Sequence, residues 1–458
     1  MKYSSHKYLN ICPLNLFISY YPYHLMNSFR TFIEKLQSEK KLMECRTPVS
    51  VDLEASSILK TSEPCPVLFP KIKESEFRIA GNIFSTKEMV AKYLGCKKEE
   101  LTLKLINAIE NPKKPELVKT GPVFENTLSN PDLSKIPVPV YLEKDGGPYF
   151  TSAIVIANDP EYGRNLSFHR MMVIEKNKVV ARILNRHLNS FIERADKRGE
   201  ELDIAVIIGS PINVLLSGAI SLDLGFDELA IANSLMPLKT VKLSNGIEVS
   251  NDVEFALQGK VKKEITDEGP FLDLTETYDI VRKQRVFEIT KIHYRNNPIF
   301  HALLPGGLEH KILMGMPKEP TIFKEVNKIC ECTGVNITPG GCSWLHAAVS
   351  IKKEKDSDAR DAIEASFKGH KSLKHVVIVD SDIDITNPAE VEWAIATRFQ
   401  ASKNIVIKEN EKGSSLDPSA DPNTYITSKM GLDCTVPFDR KQEFAKTFYP
   451  KADLKKYF

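Results

Sequence analysis

Apolar residues change period twice along the chain. Phe29, Phe32, Ile33 and Leu36 keep helical spacing and predict an amphipathic helix over 27–43, capped by Asn27 or Ser28. Short strands are predicted at 64–69 and 79–84, helices at 86–94 and 99–109, and a proline-rich connection at 112–139. From Tyr149 the pattern turns to strands, at 151–157, 171–174, 179–184, 204–208 and 285–294. Two more, 240–243 and 247–250, frame a Ser244-Asn245-Gly246 turn, and helices are predicted at 213–219 and 227–235. Many strands with inserted helices predict a β-barrel-like domain ending near residue 310. The last third opens with a helix over 321–332 that could connect domains. Short β runs at 347–352, 376–379 and 405–407 then alternate with helices at 358–367 and 389–399, the pattern of a small α/β domain. Residues 411–422 are polar, carry Gly413, Pro418 and Pro422, and read as a mobile loop.

One stretch concentrates polar groups on this pattern. Asn165-Leu-Ser-Phe-His-Arg170 leads into two β runs around Lys176-Asn177-Lys178, a hairpin signal. With a three-residue loop, paired residue numbers sum to 354. Asn165 then faces Asn189 and His187 faces Ser167. Asn165 and His187 become diagonal neighbours, about 7–8 Å apart at Cβ, within reach of one metal ion. Arg170, facing Leu184, adds a cation. An ordinary hairpin with a wet polar face is the plain alternative. A regular strand would point Asn165 and Arg170 to opposite faces, so either Asn165 precedes the strand or a bulge re-aims one of them.

Composition narrows the class. The 458 residues allow two or three domains, and 42% hydrophobic with 27% charged residues is globular. Lys+Arg at 62 against Asp+Glu at 60 gives no nucleic-acid or membrane-surface signature. No apolar run approaches the ~18 residues of a membrane span. Eight scattered cysteines, with only Cys330 and Cys332 close, fit a reduced cytoplasmic protein. Residues 1–25 read as an extension outside the fold, with Met26 as the start. The domains expected after it are an N-terminal α/β region at 26–125, a barrel domain at 126–310 and a C-terminal α/β domain at 311–458.

Further clusters could carry chemistry. Glu228, after Asp227 at a helix start, is either satisfied by the helix dipole or the anionic partner that an Asn/His pair needs to hold Mn²⁺ or Mg²⁺. In Glu268-Gly-Pro-Phe-Leu-Asp273 the Gly-Pro turn can set both carboxylates on one side. They form either a solvated acidic turn or an acid–base pair, one ionised against Arg170 and the other holding a proton. Thr427-Ser-Lys-Met-Gly431 could hold a phosphate without being a Walker loop. Asp380, Asp382 and Asp384 read as structural or capping, and Cys330 and Cys332 as core.

Taken in order, Asn165 to Arg170, Arg182-Ile-Leu-Asn-Arg-His187, Glu228, Glu268 to Asp273, Asp380 to Asp384 and Ser428-Lys-Met-Gly-Leu-Asp433 resemble the UbiD family of prenylated-FMN-dependent decarboxylases. The resemblance implies a mixed α+β, UbiD-like fold: a split β-barrel flavin domain, an N-terminal α/β region, and a C-terminal α/β domain joined by a helix that forms homodimers or homohexamers. It implies Asn165, His187 and Glu228 as Mn²⁺ ligands, with K⁺ as a further ion. Phe168, His169, Arg170, Arg182, Ile183, Leu184, Leu188 and Lys429 would contact the prenylated FMN, which a flavin prenyltransferase supplies. Arg170 would hold the substrate carboxylate, paired with Glu268, and Asp273 would protonate the product carbon. The family carries Glu or Asp there, and the shorter Asp alters the reach. The position of Arg186 varies in the family and receives no role. The implied reaction is non-oxidative loss of CO₂ from an unsaturated carboxylic acid. The compact length favours trans-anhydromevalonate 5-phosphate, giving isopentenyl phosphate for isoprenoid biosynthesis. A polyprenyl-4-hydroxybenzoate or dihydroxynaphthoate, or a non-catalytic flavin carrier, are the alternatives.

Overall fold

The computed structural model describes residues 28–444 and, beyond them, 447, 450, 452, 453 and 456. The expected N-terminal extension lies outside the described residues. The chain forms two compact units, one ending at Pro320 and the other starting at Thr321.

The first unit opens with α1 (Phe29–Ser38), whose cap is Ser28 in a capping box with Thr31. Its apolar stripe, Phe29, Phe32, Ile33 and Leu36, is fully buried. The site is built on a nine-stranded antiparallel sheet. Its strands are β1 (Tyr149–Phe150), β2 (Ile154–Asp159), β3 (Gly163–Phe168), β4 (Met171–Glu175), β5 (Lys178–Ala181), β6 (Asp203–Ile208), β7 (Phe255–Glu268) and β8 (Arg282–Tyr294). They lie in the order β1-β4-β5-β8-β7-β6-β2-β3, with residues 126–128 added against β8, and the sheet does not close. Both faces of its middle are buried. Ala205 and Ile207 of β6 enter one core, and Ile204, Val206 and Ile208 enter the other. That explains why β6 reads as a continuous apolar run without alternation.

The helices that matter for the site are α2 (His187–Arg198), α3 (Ile212–Ala219), α4 (Glu228–Leu235) and α5 (Leu308–Gly315). Gly209 ends β6 at φ +68°, and a Cβ there would come within 2.5 Å of the Glu254 side chain. Only glycine makes that turn without strain.

The second unit holds a five-stranded sheet. Its strands are β9 (Glu331–Ile337), β10 (His346–Lys352), β11 (His375–Asp380), β12 (Ile405–Lys412) and β13 (Ile426–Cys434), in the order β9-β10-β11-β13-β12. The helix expected over 321–332 is shorter, Glu319–Val326, and Cys332 already pairs in β9. The polar stretch at 411–422 is tied down rather than loose. Glu411 pairs with Thr427, and buried Asp417 accepts from Lys374 at 2.7 Å and from Thr427 at 3.2 Å. Arg398 binds Asp380 and Asp382, and Asp384 accepts from Thr386, so the acid run is structural as expected. Cys330 and Cys332 are buried core residues, and their thiols, like those of four further described cysteines, are free. Among the described residues no helix is long and apolar enough to cross a membrane.

Candidate active site

The expected hairpin exists with a different register. Its loop is Lys176-Asn177, and Val179 faces Val173 while Ala181 faces Met171, pairs that sum to 352. A shift between Lys178 and Val179 absorbs the extra residue. The hairpin begins at Met171 and does not extend back to Asn165. Asn165 sits on β3, opposite Ala157 of β2. His187 is the first residue of α2 and faces no strand. The ladder that would have made Asn165 and His187 diagonal neighbours is therefore absent. The five-residue spacing of Asn165 and Arg170 also has a simpler cause than a bulge. Arg170 lies in the break between β3 and β4, where its carbonyl accepts from the Arg182 amide at 3.1 Å.

Arg170 is the centre of the site. Its Nε and Nη2 donate to Glu268 Oε1 and Oε2 at 2.9 and 3.0 Å, a bidentate fork. Nη1 reaches Asp273 Oδ2 at 3.2 Å, and Nη2 also reaches Asp279 Oδ2 at 2.9 Å. The guanidinium stacks over the Phe271 ring, 5.0 Å from its centroid. Burial alone would pull the Arg170 pKa down. The Glu268 hydrogen bonds and the charges of Glu268, Asp273 and Asp279 instead hold it above the ordinary arginine value. Glu268 is completely buried and also accepts from the Tyr149 hydroxyl at 3.1 Å.

The turn at Gly269-Pro270 sets Glu268 and Asp273 on one side of the chain, as expected from the Gly-Pro pair. Gly269 has φ +100°, and its carbonyl lies where a Cβ on Gly146 would come within 2.3 Å. The loop can approach so closely only because residue 146 has no side chain.

Three further groups complete the cluster. A two-residue ladder pairs Phe271 with Asp279, which brings Asp279 beside Arg170. Arg282 binds Asp279, and Arg182 Nε lies 3.6 Å from it. Against the burial that opposes it, the Arg282 hydrogen bond and the nearby guanidiniums hold the Asp279 carboxyl below its usual range. His310, on the first turn of α5, feels the charges of Asp273 and Arg170, and burial lowers its pKa. Its Nδ1 accepts from the Gly306 amide at 3.1 Å, so a neutral ring carries its proton on Nε2. Sequence reasoning missed Asp279, Arg282, Tyr149 and His310. The signal for Asp279 was a second tight turn at 273–277 returning the chain past Phe271.

A second polar group surrounds β3. Asn165 Nδ2 donates to Ser167 Oγ at 3.0 Å, and Ser167 Oγ lies 3.0 Å from His169 Nε2. His169 Nδ1 must donate to the Arg182 carbonyl, 2.9 Å away, so in the neutral ring Nε2 accepts from Ser167. Burial pushes the His169 pKa down to about 4 and keeps it neutral.

Glu228 opens α4, but Asp227 does the capping, accepting from the Leu229 amide at 3.1 Å. Glu228 instead turns toward edge strand β3 and accepts from the Leu166 amide at 3.0 Å. It therefore lies beside the strand position next to Asn165. Burial, with like charge from Asp227, pushes its pKa up to about 8. His187 is half-buried, and burial and Arg186 lower its pKa. Its helix α2 packs on β2 and β3. Among the described residues no hydrogen bond joins His187 to Asn165 or Glu228, and no group of three or more His, Cys, Asp and Glu is gathered as a metal site.

Along the β4–β5 edge, Ile183 is buried with its amide bonded to Gln284 Oε1 at 3.0 Å. Leu184 is exposed, and Leu188 is buried in the core. Phe168 ends β3 opposite Ile154 and is partly buried. Lys429 lies on β13 in the second unit. Its Nζ donates to the Lys371 carbonyl at 2.6 Å and sits 5.5 Å from the Phe367 ring centroid. This segment pairs on both sides within its sheet, so its backbone is no phosphate cradle.

Three family profiles cover this chain in succession. They are the N-terminal, Rift-related and C-terminal domains of 3-octaprenyl-4-hydroxybenzoate carboxy-lyase, at residues 33–109, 116–308 and 311–434. The chain is 42% identical over 393 residues to the anhydromevalonate phosphate decarboxylase of Methanocaldococcus jannaschii, covering 85% of this chain and 92% of that protein. The chain belongs to the UbiD family. It is a carboxy-lyase. Its fold is the mixed α/β fold of UbiD-class enzymes. It matches the solved UbiD-class enzyme HmfF of Pelotomaculum thermopropionicum in complex with FMN, with TM-score 0.91, 34% identity, and 94% and 100% of the two chains covered. An evolved dimeric form of that UbiD enzyme in complex with prFMN matches with TM-score 0.88 and 33% identity over the same shares.

Proposed function

We propose that this chain decarboxylates trans-anhydromevalonate 5-phosphate to isopentenyl phosphate, using prenylated FMN. The observation that carries the reading is the Arg170 cluster. One buried guanidinium is held by Glu268 from one side and meets Asp273 and Asp279 on the other. Such a group can take a substrate carboxylate while a neighbouring carboxyl supplies a proton. The choice of acid rests on the name and likeness of the Methanocaldococcus jannaschii relative.

Prenylated FMN, when bound, supplies the electrophile that delocalises the charge left when CO₂ departs, which no side chain here can do. In this reading Arg170 orients the carboxylate, Glu268 fixes Arg170, and Asp273 delivers the proton to the product carbon. Phe168, His169, Arg182, Ile183, Leu184 and Leu188 line the flavin, and Lys429 meets its phosphate. Asn165, His187 and Glu228 hold Mn²⁺, with K⁺ as a further ion. The donor set suits such an ion. Asn165 uses its amide hydrogen on Ser167, so the amide oxygen is the atom it would offer an ion. Glu228 is a buried carboxyl that a cation would help ionise. Domains at 26–125, 126–310 and 311–458, assembly through the last of these, cytoplasmic location and a flavin prenyltransferase as cofactor supplier belong to the same reading.

The test is an assay of holoenzyme, coexpressed with a flavin prenyltransferase, on this acid and on a hydroxybenzoate. CO₂ and isopentenyl phosphate from the first are expected. Turnover of the hydroxybenzoate alone would overturn the substrate.

A further inference from the structure

We propose that His310 is a hydrogen-bond donor to the substrate carboxylate, holding one oxygen through Nε2–H while Arg170 holds the other. The role deepens the decarboxylation reading above and rests on it. Arginine has five N–H groups. In Arg170, Nε is engaged by Glu268, Nη2 by Glu268 and Asp279, and one hydrogen of Nη1 by Asp273. A single N–H of Nη1 is left for an incoming carboxylate, which has two oxygens to satisfy. Other donors of the cluster are turned elsewhere, Tyr149 to Glu268, and Arg182 and Arg282 to Asp279. Among the described residues nothing accepts from His310 Nε2, because the ring makes its hydrogen bond at Nδ1, from the Gly306 amide.

Two contacts seat the ring against the Asp273 turn. Gly306, at φ +63°, lies so close that a Cβ there would come within 3.4 Å of the Asp273 carbonyl oxygen. Lys311 Nζ donates to Glu276 Oε1 at 2.6 Å, and the Glu276 amide donates to the Asp273 carbonyl at 2.9 Å. His310 lies between these anchors, on the first turn of α5. The charged groups facing it are Asp273 and Arg170 of the site and Lys311 of its own helix. At the same helix start, Glu63 accepts from the Leu308 amide and buried Glu309 meets His301. Burial opposes an imidazolium here against the pull of Asp273, and protonating Nδ1 would break the Gly306 bond. An uncharged donor suits the reaction. Loss of CO₂ drains negative charge from the carboxylate. A second cation would hold that charge more tightly in the ground state than in the transition state and slow the step.

Holoenzyme of the wild type, His310→Leu and His310→Gln is compared. Gln keeps an uncharged N–H donor, and Leu keeps bulk alone. KM and kcat for trans-anhydromevalonate 5-phosphate are measured across about pH 5.5–7.5, which brackets an ordinary histidine. Calorimetry follows binding of 3-methylbut-2-enoate, an unsaturated acid with a carboxylate and no phosphate, and absorbance gives flavin per chain. In His310→Leu, KM and the Kd of the probe should rise roughly tenfold to a hundredfold, the loss of a hydrogen bond to a charged group. His310→Gln should recover most of that loss, with flavin content unchanged in both. The ratio of Leu to wild-type KM should stay level with pH, because the donor is present throughout. Unchanged KM and probe binding in His310→Leu, or a Gln variant as impaired as Leu, overturns the donor. A ratio that grows as pH falls means that an imidazolium binds the acid, and overturns the uncharged role. Flavin loss in both variants assigns the ring to the cofactor and overturns its place on the substrate. A wild type that binds no probe overturns it as well. A wild type that turns over no trans-anhydromevalonate 5-phosphate, yet binds the probe through His310, sinks the substrate reading while the donor stands.

Discussion

Arg170 holds its position because Glu268 is buried and bidentate, and removing one partner of such a pair leaves the other uncompensated. Glu268→Gln should therefore lower stability by about 3–5 kcal/mol, read by urea denaturation. A loss below ~1 kcal/mol would mean that Asp273 and Asp279 suffice to hold the arginine. Asp273→Asn keeps shape and removes the acid. Turnover should fall roughly 10²–10⁴-fold with flavin content unchanged, and wild-type turnover would remove Asp273 from the proton transfer. Asp279→Asn leaves that acid in place and loosens the arginines around it. Steady-state kinetics should show KM rising more than kcat falls. At this scale the Glu268–Asp273 turn was legible, since Gly-Pro permits few geometries. Asp279 was not, because its proximity comes from pairing across to Phe271.

Elements decide where the metal-ligand candidates go. Asn165, Glu228 and His187 sit on a strand and at two helix starts, so side-chain reach within a hairpin was the wrong frame. His187→Ala should reduce Mn²⁺ and flavin retained after purification, measured by elemental analysis and absorbance. Full retention of both would take His187 out of the ligand set. Gly209 fixes the exit of β6 in a left-handed conformation beside Glu254. Gly209→Ala should cost at least the ~1–2 kcal/mol of that conformation, since the clash adds to it. A denaturation midpoint equal to wild type would contradict the strain. The helices read from the apolar spacing are close to those observed, because burial follows period directly. The long strand β7 was missed, since its residues 262–267 are mostly charged and lie half-buried or exposed beyond the buried half.

Across the whole molecule, burial sets how the protein responds to acid. His293 is buried, bonded to Gln258 and Thr127, with its pKa pushed down to about 4. Unfolded histidine titrates near 6.5. Between about 4 and 6.5 the unfolded chain binds the extra proton, so this residue's contribution is full above about 6.5 and lost as pH falls toward about 4. His293→Gln should be less stable than wild type at pH 7, and the gap should narrow as pH drops through that window. Melting temperatures across the window check it, and a constant gap would contradict it. The amino-acid sequence by itself determined the period of the elements and, through co-linear motifs, its family. Those depend on local spacing and on residue order. Only the tertiary structure decided which side chains meet. The third carboxylate at Arg170, the turn of Glu228 onto β3 and the pairing of Lys311 with Glu276 beside His310 all join residues far apart in the chain. Their distances are set by register and packing, where one residue of slip moves a side chain to the opposite face.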